Sequence, residues 1–92
     1  MKKIIQRTHR FEKSYKKLNS KTRNLFLKKL ALFIDDEFSP SLKVHQLKGK
    51  RKNEYSFSIT HDIRAIYEKT IQRQEEILIF KFIDIGGHGK VY

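Results

Sequence analysis

The stretch Glu54-Tyr55-Ser56-Phe57-Ser58-Ile59-Thr60-His61-Asp62-Ile63-Arg64-Ala65-Ile66-Tyr67-Glu68 decides the fold. Tyr55, Phe57 and Ile59 alternate with Ser56, Ser58 and Thr60, which puts apolar and polar groups on opposite sides of a pleated strand. His61-Asp62 reads as a tight hairpin tip. The return strand sets Ile63, Ala65 and Tyr67 on one face and Arg64, Ile66 and Glu68 on the other. Gln72 to Gln74 turns the chain again, and Glu76 to Asp84 is the most apolar strand, as a central position demands.

Upstream the period changes from two to that of a helix. Lys3 to Arg7 is a short N-terminal strand, and Thr8 can cap the helix after it. Phe11, Tyr15 and Leu18 recur on one helical face. Asn19-Ser20 breaks this helix and caps a second, Lys21 to about Asp36. There Phe26, Leu30 and Phe33 form one ridge and Leu27, Ala31 and Ile34 another, a stripe wide enough to need a sheet or helix to cover it. Asp35, Asp36 and Glu37 mark the exit, because the helix dipole disfavours acids at a C-terminus. Phe38 to Asn53 contains the single proline, has no clear period, and reads as an irregular connection. A short edge strand over Lys90 to Tyr92 completes the elements. The expected architecture is α+β: one domain over residues 1–92, with two layers. An N-terminal strand and helical hairpin pack on one face of an antiparallel-rich sheet of four to five strands, and the other face is open for function.

Charge narrows the function. The chain has 21 Lys+Arg against 10 Asp+Glu, a net charge of +11. Residues 1–53 hold 16 basic and 4 acidic residues, and residues 54–92 hold 5 and 6, so the first half carries the positive field. That field favours nucleic acid or an acidic protein covering the same surface, although lysines also decorate solvated helices. The absence of cysteine excludes disulfides and thiolate chemistry and suits a reducing cytoplasm. No apolar stretch approaches the roughly 20 residues of a membrane span.

Chemistry-bearing residues gather in the second half. Gly86-Gly87-His88-Gly89-Lys90-Val91-Tyr92 comes after the apolar strand and offers an imidazole, a cation and a stacking ring, which are the groups needed to grip or cleave RNA. The alternative is that Val91 and Tyr92 merely pack. His45, His61 with Asp62, and Arg64 complete the candidates. Arg64 is unusual, since a charge in an apolar strand must face solvent, an acid such as Glu68 or Asp62, or an anionic ligand. No pair or cluster has metal-ligand spacing, and Gly86-Gly87 lacks the helix that a phosphate-binding loop leads into.

Three motifs carry a resemblance. His45-Gln46-Leu47-Lys48-Gly49, His61-Asp62-Ile63-Arg64-Ala65-Ile66-Tyr67 and Gly86-Gly87-His88-Gly89-Lys90-Val91-Tyr92, in this order, resemble the RelE/ParE superfamily of toxin-antitoxin toxins, in its YafQ-like mRNA interferase branch. The resemblance runs essentially end to end. It departs at Ser58, where the branch often has a further histidine, and at Gly89-Lys90, where it often has an acidic or polar pair.

The resemblance implies a microbial ribonuclease-like fold and a metal-independent, cofactor-free endoribonuclease that cleaves mRNA in the ribosomal A site by 2′-hydroxyl attack. His45, Asp62, Arg64, His88 and Tyr92 become the catalytic set: His88 as general acid, Asp62 or His45 as base, Arg64 and Lys90 as phosphate clamps, Tyr92 as stacking group. Lys48, Lys50, Arg51, Lys52, His61 and Lys90 become RNA contacts. The implied partners are an acidic antitoxin, in a hetero-oligomeric complex, and the ribosome with its mRNA; no membrane is involved. The alternative is a non-catalytic member of the fold, either a ParE-like gyrase inhibitor or a degenerate toxin.

Overall fold

The computed structural model describes residues 1–51 and 53–91, without the side chains of His88 and Lys90. β1 (Lys2–Arg7) leads into α1 (His9–Lys16) and α2 (Ser20–Asp35). Both helix starts are capped as their sequences require. Thr8 Oγ1 accepts from the Phe11 amide at 3.1 Å, and Asn19 Oδ1 accepts from the Thr22 amide at 2.8 Å. α2 ends at Asp35 with Asp36 as its C-cap, which places the acidic cluster at the exit.

The connection from 38 to 53 contains more order than its sequence suggests. Single 3-10 turns at Pro40–Leu42 and Gly49–Arg51 flank a two-residue strand, β2 (His45–Gln46). β3 (Glu54–Ser58), β4 (Ile63–Gln72) and β5 (Ile77–Gly87) then form a meander. The sheet order is β1-β5-β4-β3-β2, with β1 parallel to β5 and the other pairs antiparallel. The expected α+β fold, with both long helices on one sheet face, is the observed one. The most apolar strand, β5, lies inside the sheet, between β1 and β4, while β4 holds the centre.

The core is aromatic. Phe11 from α1 and Phe26 and Phe33 from α2 meet Phe57, Tyr67, Phe80 and Phe82 of the sheet, and all seven are essentially buried. Phe33 lies at the centre, with ring centroids 4.7 Å from Phe80 and 4.9 Å from both Phe57 and Tyr67. Such pairs add about 0.5–1.5 kcal/mol each beyond area burial. At the rim of this layer Glu37 turns inward, where it accepts from Tyr67 Oη at 2.7 Å and pairs with Lys69 at 2.9 Å.

Two expectations fail. The second ridge of α2 is not covered: Leu27 and Ile34 are 49% and 39% exposed, and Ala31 is exposed between them. A single sheet face accommodates one ridge, and the Phe26–Phe33 ridge takes it. The tail is also not an edge strand. His88–Val91 is a helical turn, α3, and Tyr92 lies outside the described residues. β1 ends at Arg7, opposite Phe82, and β4 begins at Ile63, opposite Gly87, so the chain leaving Gly87 has no strand beside it to pair with. It folds back over the open face, where Val91 is buried with Leu47 and Ile66. The fifth strand comes instead from His45–Gln46.

Candidate active site on the open sheet face

Strand register brings the site together. His45 pairs with Ser56 across β2 and β3, and Ser56 pairs with Ile66 across β3 and β4, so these three side chains share a face. Arg64, two residues before Ile66 on β4, points to the same side. Ile66 packs with Val91, which shows that α3 lies over this face as well. The turn that begins at His88 and the guanidinium-bearing strand therefore share one side of the sheet; the imidazole of His88 lies outside the described residues.

Arg64 is held in a polar knot. Its Nε donates to Ser56 Oγ at 3.0 Å, and its Nη2 donates to the Lys43 carbonyl at 2.9 Å and lies 3.2 Å from His45 Nδ1. The other ring nitrogen of His45, Nε2, is 3.4 Å from Ser56 Oγ. A guanidinium has no acceptor, so His45 Nδ1 is the lone-pair nitrogen of this pair and the hydrogen-bond pattern assigns the proton to Nε2. Lys43 sits in the left-handed region at φ 50°, just after the proline turn. Its carbonyl then meets the arginine.

Around this knot opens a cavity of about 680 Å³ lined by His45, Gln46, Leu47, Lys48, His61, Asp62 and Arg64. The hairpin tip forms one wall. Thr60 Oγ1 accepts from the amides of Asp62 at 3.2 Å and Ile63 at 3.0 Å, and Ser58 Oγ donates to the Thr60 carbonyl at 2.8 Å. These bonds shape a side-chain-braced turn that leaves His61 and Asp62 exposed at the cavity rim. Leu47 and Lys48, just beyond β2, line it as well.

Of the expected site residues, the fold thus groups His45, Asp62, Arg64, His61 and Lys48. Lys50 is exposed on the neighbouring 3-10 turn. Arg51 is engaged: its Nε and Nη2 reach Glu54 Oε1 at 2.9 and 2.8 Å, and its Nη1 donates to the Val91 carbonyl at 2.8 Å. Lys90 enters through its backbone position in α3 alone. Lys52 and Tyr92 lie outside the described residues. Among the described residues no group of three His, Cys, Asp or Glu is placed to hold a metal ion, and no helix is long and apolar enough to cross a membrane.

Two residues escaped the sequence reading. Ser56 appears there as one of several outward serines, yet it is fully buried at the centre of the knot. Only its register opposite His45 distinguishes it, and that register depends on a two-residue strand with no periodic signal. Asp84 is the other. A bulge opposite Ile66/Tyr67 turns its carboxylate toward α1, where Oδ1 accepts from Ser14 Oγ at 2.7 Å and from the Ile85 amide at 2.9 Å. Oδ2 lies 3.1 Å from Arg10 Nη2, close enough for ion pairing although not aligned as a hydrogen bond. An acid inside an apolar strand was the available clue.

No family model matches the chain, and no curated protein matches it in sequence. Solved structures do match. YafQ from E. coli strain BL21(DE3) superposes with a TM-score of 0.78 at 18% identity over 99% of each chain. The YoeB/ParE toxin from Agrobacterium tumefaciens gives 0.73 at 18% identity over 96% of this chain and 99% of that one. In the E. coli DinJ-YafQ toxin-antitoxin complex, the matching chain gives 0.71 at 22% identity over 100% and 99%. The chain therefore has the fold shared by the YafQ and YoeB/ParE toxins.

Proposed function

We propose that this chain is the toxin of a type II toxin-antitoxin pair and acts in the cytoplasm as a metal-independent endoribonuclease on mRNA in the ribosomal A site. The observation that carries this reading is the convergence of Arg64, His45 and Asp62 on one open cavity, on the sheet face over which α3 begins at His88. The toxin fold and a net charge of +11 support it.

The geometry suggests an order of events. A phosphodiester entering the cavity competes for the Arg64 fork, because a guanidinium binds phosphate through paired N–H groups more strongly than it binds a neutral imidazole. As Arg64 turns to the phosphate, the lone pair of His45 Nδ1 is released and can take the proton of the 2′-hydroxyl. Asp62 at the rim is the alternative base. The 2′ oxygen then bonds to phosphorus and the bond to the 5′ oxygen breaks, leaving a 2′,3′-cyclic phosphate. His88 gives its proton to the departing 5′ oxygen. Arg64 and Lys90 offset the charge of the phosphorane. Lys48, Lys50, Lys52 and His61 hold flanking phosphates, and Tyr92 stacks on a base. An acidic antitoxin covers the same cationic surface in the inactive hetero-oligomer.

The test is cleavage in a reconstituted translating ribosome. Native protein should produce codon-phased 5′ ends, and His88→Ala should lose about 10²-fold or more of the rate while RNA affinity stays nearly constant. Equal cleavage by His88→Ala removes the mechanism. Intact mRNA accompanied by DNA breaks in expressing cells would mark a gyrase-directed toxin instead.

A further inference from the structure

α3 is four residues long, too short to sustain its own helical hydrogen bonding. Its place over the sheet must come from outside contacts, and among the described residues two stand out. One is apolar: Val91 is 4% exposed, packed on Leu47 and Ile66. The other is Arg51. Two of its N–H groups close on a single oxygen of Glu54, and a third donates to the Val91 carbonyl. Glu54 opens β3 and is paired with Glu68 in the sheet, so this fork ties the last turn to a rigid strand.

We infer that Arg51, backed by Glu54, is a positioning residue that seats the turn bearing His88, rather than one of the phosphate contacts. The inference rests on the nuclease reading for its catalytic consequence. A phosphate-binding arginine needs free N–H groups and a positive field, whereas Arg51 faces a carboxylate that neutralises it and a carbonyl that occupies another edge of the fork. Carbonyls at the C-terminal end of a helix lack intrahelical partners, and a cation there satisfies one. A lysine cannot replace the fork, since one ammonium cannot reproduce its planar span between Glu54 and Val91.

The surroundings show where an unseated turn would go. Val91 of α3 borders one cavity and packs on the lining of another. Leu47, in its apolar cluster, lines the His45–Arg64 cavity, while Arg51, Glu54 and Val91 line a second, of about 480 Å³. Without the fork the turn is free to tip toward that second space and away from Arg64.

Arg51→Lys and Glu54→Gln in the full chain separate the two roles. If Arg51 positions the tail, each variant should lower kcat about tenfold with KM and the salt dependence of RNA binding unchanged, and the backbone amides of Gly89 and Val91 should become more mobile by ¹⁵N relaxation. If Arg51 holds phosphate, Arg51→Lys should resemble the native protein and Glu54→Gln should bind RNA more tightly, with the tail amides unaltered. Tail amides unchanged in both variants overturn the inference whatever happens to activity. A native protein that cleaves nothing overturns the proposed function alone, because the relaxation measurement still judges the fork. Thermal melts of both variants confirm that any loss is local.

Discussion

Toward the helices, β3, β4 and β5 present Phe57, Tyr67, Phe80 and Phe82, each sealed against rings from α1 and α2. On the other side the same strands present Ser56, Arg64 and Ile66, and of these only Ile66 joins an apolar cluster, a small one with Leu47 and Val91. The difference teaches how a 92-residue chain can hold a costly polar site. One face supplies nearly all of the apolar burial. The other is then free to bury a serine and hold an arginine among hydrogen-bond partners in place of hydrophobic contacts.

Three experiments test that division, and the largest effect belongs to the packed face. Phe33→Ala removes the ring that touches four others and should cost about 3–5 kcal/mol of stability, measured by urea denaturation. A loss below about 1 kcal/mol would mean that the open face carries more of the fold than its contacts indicate. Next comes Arg64→Ala on the open face. It should reduce cleavage about 10²–10³-fold, as removal of a positioned donor to a developing anion does, while changing stability by about 1 kcal/mol. Comparable losses of folding and activity would collapse the distinction between the faces.

The smallest effect lies at the rim of the packed layer. Burial foremost, then the hydrogen bond to Glu37 and its charge, raise the Tyr67 phenol well above its ordinary value. The folded state therefore keeps this proton at a pH where the unfolded chain loses it. The Tyr67 contribution is constant below about pH 10 and declines above it by up to about 1.4 kcal/mol per pH unit. Urea melts of native protein and Tyr67→Phe at pH 9, 10 and 11 should show the steeper alkaline decline only in the native chain.

Where residue spacing reflects burial on one face, the sequence was readable. The alternation over Tyr55–Tyr67, the caps Thr8 and Asn19, and the apolar run of β5 each obey a local rule, and each appears where that rule puts it. Features set by partners distant in sequence were not readable. β2 is two residues long and exists because β3 offers an edge. The tail became a helical turn because β1 and β4 offer no partner beyond Gly87. Leu27 and Ile34 look like core by period and lie exposed, since a helix cannot know which of two ridges its sheet will accept. The candidate site divides in the same way: His45, Asp62 and Arg64 stood out by residue type, whereas Ser56 and the Arg51–Glu54 fork emerge only from three-dimensional register.

The parallel pairing of β1 with β5 has a consequence for biosynthesis. β5, which joins β1 to the β4-β3-β2 meander, is the last of the five strands in chain order, so β1 has no partner in the sheet until β5 has been made. Phe11, Phe26 and Phe33 emerge first, Phe57 and Tyr67 follow, and the layer beneath the helices closes only when Ile77–Gly87 inserts between β1 and β4. The open face of the same sheet, with the candidate site on it, therefore takes its shape only after the last strand to be made has found its place.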